Sequence, residues 1–510
     1  MNAEEPPRKE RRKLRKAVLH NVVFRALSQG VVALTYVFLV RAFTEKEFGI
    51  YQLFYTVPPF ISAAFSLGIT VTLSRYLPEY FGRHEFGMAH ELLSWAKRLR
   101  LVTSVAIIVA IIAFWDSLAP FFKIQDYKNY FYLFGAIAIT HFQCRLLNIA
   151  LSSYLLQQWS MGLTAMFSLA KLVGYGLVLL VDFSLQSALI VDFVAYILWY
   201  VSMAWAYRQH VPQAAKERMP PGERKRVLRF GLFNNFNDVG TLTLNARSDN
   251  LFIAAFMDPA SVGAYAFCTQ LEQMVEKLLP TRFFGQIVRA VVFKLDYRRE
   301  ASRIHQYFVF LLKVNFLCVF PIFVTIAAIP HTIITVVFGG KFVDQATLLV
   351  VVFSFALITT FQQPVAIIAE LGERAGVILA SKMFAVYNVI AILVLVPKLG
   401  LLGAAIATGT AILFKNLFIW YSVRSMASFF GTFRFFVQQS VLWAACWLIL
   451  HLVDTQTQPI LSFAIAIPTV AVTTIASLRL ADFSTSDREI IGRLGGSRLG
   501  LLFRIAGIGT

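Results

Sequence analysis

The sequence predicts an all-α, polytopic membrane protein of about 14 transmembrane helices, built as two six-helix lobes in parallel repeat plus two C-terminal helices. Three observations carry the prediction. The 510 residues are 58% hydrophobic and only 15% charged, with a mean hydropathy of +0.66. Runs of the roughly 20 apolar residues needed to cross about 30 Å of hydrocarbon recur along the chain. Finally, the segment RAFTEKEFGIY at 41–51 returns as AFMDPASVGAY at 255–265, which pairs Asn21 with Asn235, Gly49 with Gly263 and Tyr51 with Tyr265.

In order, the spans fall at 19–42, 51–73, 101–122, 129–153, 158–181, 185–207, 230–254, 265–292, 308–329, 345–368, 372–396, 400–423, 435–453 and 458–478. The eighth, which contains Glu272, Glu276 and Lys277, is the least apolar. Residues 1–18 form a basic N-terminus and 19–208 the first lobe. The proline-bearing, basic stretch at 209–229 is a linker, 230–424 is the second lobe, 425–478 holds the two extra spans and 479–510 is a tail. Each lobe has an even number of spans, so both start on the same side and repeat about an axis along the membrane normal.

Basic residues set the orientation. Inner segments, among them 8–16, 75–100, 208–229, 294–303 and 479–504, hold about 31 Lys and Arg against about 6 in the outer turns. Both termini are therefore expected in the cytoplasm. Most of the +19 net charge is this bias, with some attraction to anionic lipid head groups. It does not point to nucleic acid, because no soluble domain follows the basic run. The first apolar run is span-length and lacks a small-residue cleavage site, so it reads as a retained helix. In the tail, Ile490, Ile491 and Leu494 lie at helical spacing beside Arg488, Arg493 and Arg498, which predicts an amphipathic helix on the inner leaflet. A similar interfacial helix is expected at 84–100, with Leu92, Leu93 and Trp95 among charges.

Cys144, Cys268, Cys318 and Cys446 are dispersed among spans without CxxC pairing and read as small buried hydrophobes, so neither metal nor cofactor is expected. The chain has no GxxxxGK[ST] loop to hold a nucleotide. Gly49 and Gly263 suit a tight turn or close backbone approach, and Tyr51 and Tyr265 suit the head-group interface. The small residues at 403–407 suit close helix packing.

Four segments together resemble the polysaccharide flippases of the multidrug/oligosaccharidyl-lipid/polysaccharide exporter superfamily. They are the EFGIY turn at 47–51, RSDN at 247–250 leading to VGAY at 262–265, LGLLGAAIAT at 399–408 and FSTSDREII at 483–491. The resemblance spans nearly the whole length and rests on the order and spacing of short turn and small-residue patterns. It implies a transporter in the bacterial inner membrane that turns lipid-linked glycans across it, alongside glycosyltransferases and a polysaccharide polymerase.

Charges inside the spans are the candidate site, because an ionisable group at mid-membrane costs roughly 2.5–3.5 kcal/mol and needs a partner or a wet cavity. Arg25, Arg145, Lys171, Arg247, Lys382 and Lys415 are the candidate substrate cations, supported by Asn21, His141, Asn148 and Asp249. His141, Arg145 and Asn148 fall at i, i+4 and i+7 on one helix face. Arg247 has an alternative, an internal pair with Asp249 or Asp238. Arg289 and Lys313, near span ends, read as snorkelling. A cationic cavity suits an anionic head group such as the pyrophosphate of a lipid-linked glycan, since Arg forks onto phosphate oxygens and Lys adds a point charge. Glu272, Glu276 and Asp192 are candidates for coupling to a proton or sodium ion; the two glutamates also have Lys277 and Arg282 near as partners. Three other classes stay open: a lipid II flippase, a multidrug cation antiporter of the same superfamily, and a polytopic glycan-modifying enzyme. The short outer turns, and the lack of a carboxylate beside His141 or His451, weigh against the enzyme.

Overall fold

The computed structural model describes residues 8–483, apart from 66–67, 216, 218, 243–245, 284–287, 290–291, 294, 298, 430–431 and 482. The predicted amphipathic tail beyond Phe483 lies outside the described residues. So do the side chains of Asn21, Arg25, Asp238 and Arg247.

Two compact units divide the chain. The first takes residues 1–242 and 257–263 and contains α1 (Arg8–Ala42), α2 (Glu45–Phe65), α3 (Ile69–Gly82), α4 (Phe86–Ala113), α5 (Trp115–Phe122), α6 (Lys128–Ser153), α7 (Gln157–Leu179), α8 (Leu185–His210) and α9 (Pro221–Leu242). Within it α1 packs on α7, α6 on α4 and α8, and α9 on α2 and α3.

The repeated turn sets the start of two helices. Thr44 and Glu47 form a reciprocal cap on α2: the Glu47 amide donates to Thr44 Oγ1 (3.3 Å) and the Thr44 amide to Glu47 Oε2 (3.1 Å). Asp258, the repeat mate of Thr44, accepts from the Ser261 amide (2.8 Å) and caps α11 (Pro259–Leu278). The paired glycines serve close approach. A methyl group at Gly49 would fall 1.6 Å from the Pro259 carbonyl oxygen, and one at Gly263 2.7 Å from that of Glu45.

Three expectations change here. The second span is broken: α2 ends at Phe65 and α3 begins after Gly68, whose φ of +66° brings its backbone onto Gly231, leaving no room for a side chain. The segment 84–100 is not a separate surface helix, because α4 runs unbroken from Phe86 to Ala113 with Leu92 and Leu93 buried in protein. At Phe114 the chain then turns by 78° into α5. The basic linker docks on the first unit. His90 Nε2 donates to the Pro212 carbonyl (2.9 Å) while its Nδ1 accepts from Tyr207 (2.8 Å), and Glu79 pairs with Arg75, Arg83 and Arg226.

The second unit takes residues 243–256 and 264–510. It holds α10 (Ala246–Phe256), the body of α11, α12 (Ala301–Ala328), α13 (Pro330–Phe338), α14 (Ala346–Leu371), α15 (Ala375–Ala380), α16 (Met383–Val423), α17 (Phe433–Gln456) and α18 (Pro459–Leu480). Its apolar core joins α12 and α14 to α16 at one end, around Phe308, Val365 and Ile419. A second cluster, around Ile329, Trp443 and Leu450, ties in α17 and α18. Gly400, at φ 58°, ψ −134°, divides α16 into the two spans expected there. Across that break Gly403 lies so close to Leu395 that a methyl group would fall 2.2 Å from its oxygen, consistent with the packing role of 403–407.

Eight helices among the described residues are long and apolar enough to cross a membrane, or nine with the bent α4–α5 pair; one of the eight is the double run at 376–423. Three cysteines are buried and Cys318 is exposed, against expectation.

Candidate functional site

Among the described residues, each unit buries one aspartate and ties it to the repeat-matched tyrosine. In the first, Asp192 on α8 is fully buried. Its Oδ2 accepts from Tyr51 (2.9 Å) and Tyr55, and its Oδ1 from Tyr175 and from Lys171 Nζ, an ion pair of 2.7 Å. All four lone-pair positions of the carboxylate are engaged. The spacing explains the convergence. Tyr51 and Tyr55 are one turn apart on α2, and Lys171 and Tyr175 one turn apart on α7, so each helix presents two groups on one face. The ammonium also lies 5.6–5.9 Å from the ring centres of Tyr55, Phe167, Tyr175 and Tyr196, within range of cation–π attraction.

In the second unit Asp249 on α10 is equally buried. Its Oδ2 accepts from Tyr265 on α11 and Thr408 on α16, both at 2.7 Å, and Ser248 reaches Oδ1 at 3.4 Å. Asn388 stands next to Thr408, with Oδ1 3.1 Å from its hydroxyl. No Lys or Arg lies within ion-pair distance of Asp249 among the described residues.

These placements revise the sequence reading. Tyr51 and Tyr265 are not head-group residues: both are buried donors to carboxylates, because a phenol supplies the hydrogen bond a buried acid needs. Lys171 and Asp192, assigned to substrate and to ion coupling, are partners of each other. The stripe on α6 splits by role. Asn148 is fixed between α6 and α7 by Thr164 (3.2 Å) and Ser160, His141 sits edge-on to Tyr196 (5.5 Å), and Arg145 alone is exposed.

The remaining second-unit candidates share one neighbourhood. Glu276 pairs with Arg282, the alternative noted for it, and Lys415 feels the charges of Lys382, Glu276 and Arg282, while Glu272 feels Glu276 and Arg282. Lys382 lies in the short turn between α15 and α16, within the apolar run at 376–423. Arg289, read as snorkelling, is also paired with Glu370 (3.0 Å), and Lys313 lies 5.7 Å from the ring centre of Phe435.

Sequence reasoning missed Tyr55, Asn388 and Thr408 as members of these centres. The i, i+4 tyrosines on α2 were a readable signal. For Thr408 and Asn388 there was none, because neither residue type marks its own burial.

Residues 38–347 match the family described as polysaccharide biosynthesis protein, and the chain belongs to that family. No curated relative matches the sequence. Among solved structures, the fold is similar to that of the lipid II flippase MurJ in an inward closed conformation, at a TM-score of 0.71 and 13% identity, covering 90% of this chain and 98% of that one. It is also similar to a multidrug resistance MATE family transporter of the MOP superfamily. The inward-facing form gives a TM-score of 0.61 at 14% identity (80% of this chain, 98% of that one), and the outward-facing form 0.56 at 17% (81% and 96%). At these identities the likeness establishes a shared fold.

Proposed function

We propose that this member of the polysaccharide biosynthesis family is a flippase that carries a lipid-linked, anionic oligosaccharide from the cytoplasmic to the outer leaflet of the cell membrane by alternating access. The carrier is a polyprenyl pyrophosphate, both termini face the cytoplasm, and glycosyltransferases and a polymerase act before and after it. One observation carries the choice of an anion. Asp192, the acid inside the first unit's described spans, is already neutralised by Lys171, which leaves Arg145 exposed with no acid paired to it among the described residues. A multidrug cation antiporter needs the reverse, a carboxylate and aromatic rings open to a foreign cation. Here the chain's own lysine fills that aromatic cage.

Coupling to a cation belongs in the second unit. A buried carboxylate with hydroxyl and amide oxygens beside it and, among the described residues, no ammonium or guanidinium partner suits a proton or a small monovalent ion, and Asp249 meets that description where Asp192 does not.

The test is transport. Purified protein in proteoliposomes should move a fluorescent polyprenyl-pyrophosphate oligosaccharide between leaflets, while Arg145→Glu abolishes movement and keeps the fold. Failure of the wild-type protein to move any lipid-linked glycan, with export of an organic cation instead, would replace this reading by the antiporter.

A further inference from the structure

The first unit holds a second cation that no acid neutralises among the described residues. Arg100, on α4, is 3% exposed, and its guanidinium lies against the ring of Phe142 on α6, 3.8 Å from the centroid. Its Nη1 is buried and makes no hydrogen bond, and no acid pairs with it among the described residues. One turn further along α4, the hydroxyl of Ser104, 1% exposed, also lacks a partner. Arg145 follows Phe142 by three residues on α6, and its charge acts directly on Arg100. Lys97, one turn before Arg100, is engaged by the Tyr200 hydroxyl (3.1 Å).

A buried guanidinium without an acid, with a second guanidinium adding its repulsion, is strongly unfavourable unless something anionic completes the arrangement. We infer that α4 and α6 form a phosphate-binding subsite, in which Arg100 from below and Arg145 from the exposed side grip one phosphate group and Ser104 donates to it.

The chemistry fits the residue types. Guanidinium groups fork onto phosphate oxygens, and stacking on Phe142 fixes the plane of the Arg100 fork. Depth fits as well. The basic segment 75–100 marks the cytoplasmic side, and Arg145 lies eight residues, about 12 Å at 1.5 Å per residue, from the same end of α6 at Ser153. The subsite therefore lies within the membrane on its cytoplasmic half, where a phosphate entering from that leaflet would reach it. The phosphate belongs either to the polyprenyl pyrophosphate of a transported glycan or to a glycerophospholipid of the inner leaflet. The subsite is defined by binding, so it does not depend on the flippase reading.

The experiment measures binding of polyprenyl pyrophosphate and, separately, phosphatidylglycerol to the detergent-purified full chain by native mass spectrometry. Wild type is compared with Arg100→Gln, Arg145→Gln and Ser104→Ala, alongside thermal melts with and without each lipid. Arg100→Gln should weaken phosphate-lipid binding about tenfold or more and remove lipid-induced stabilisation, while the lipid-free protein melts no earlier than wild type because an uncompensated charge has gone. Loss confined to polyprenyl pyrophosphate assigns the subsite to the substrate, and equal loss with phosphatidylglycerol assigns it to membrane lipid. If Arg100→Gln fails to fold, Arg145→Gln carries the same comparison. Unchanged binding of both lipids in Arg100→Gln, or in Arg145→Gln where the first variant does not fold, would overturn the inference.

Discussion

The two units solve one problem in opposite ways. Both bury an aspartate and both hold it with the tyrosine of the repeated turn, Tyr51 for Asp192 and Tyr265 for Asp249. Yet the acids do not correspond. The repeat mate of Asp249 is Thr35, which bonds only its own helix at Val31, and Thr408 on α16 stands close to where the repeat would place Asp192. Moving the carboxylate to a different helix kept the tyrosine contact and lost the lysine. The first centre is consequently neutral and saturated, while the second carries an acid attended, among the described residues, by hydroxyl and amide groups. The first suits a fixed structural tie, and the second fits the cation-coupling role proposed for it.

The largest expected effect tests the neutral pair. Lys171→Met leaves Asp192 buried without its cation and should cost about 3–5 kcal/mol of stability. Lys171→Met with Asp192→Asn should recover most of it, a recovery that thermal melts of both variants would show. Equal destabilisation of single and double variants would mean that the lysine acts through packing.

Asp249→Asn should behave in the opposite sense, retaining or raising stability while abolishing ion-driven transport. Added sodium or acidification should raise the melting temperature of wild type but not of this variant, because a cation that binds only the folded centre stabilises it. A sodium- or acid-dependent shift that survives the substitution would move coupling away from Asp249, with Glu272 the next residue to examine.

Smaller effects come from the tyrosines. A hydrogen bond to a charged acceptor is worth about 1.5–3 kcal/mol. Tyr265→Phe should sit near the top of that range, since few donors serve Asp249, and Tyr51→Phe near the bottom, since Tyr55, Tyr175 and Lys171 remain on Asp192. Chemical denaturation of both would rank them, and the reverse order would break the contrast between a saturated and a sparsely attended acid. The smallest effect belongs to Asn148→Ala, which removes contacts with Thr164 and Ser160 far from either acid: transport should persist with a loss of about 1 kcal/mol.

Membrane class, duplication and positive-inside bias were legible in the sequence, because hydrocarbon thickness fixes span length and charge asymmetry follows the bilayer, whatever the helices pack against. The repeated turn was legible too, through the cap residues Thr44 and Asp258 and the crossing glycines, which act over a few residues of chain. Tertiary structure alone decided which charges are satisfied. Lys171 and Asp192 stand on different helices, as do Asp249 and Thr408, and helical spacing shows which face a residue occupies but not what faces it. Hence Lys171 looked available for a ligand when it is paired, and Arg100 looked like an ordinary inner-side cation when it is buried with no acid paired to it among the described residues. Sequence counts charges, but their cost and use depend on the distance to the nearest opposite charge in a medium of low dielectric, and only the packed helices set that distance.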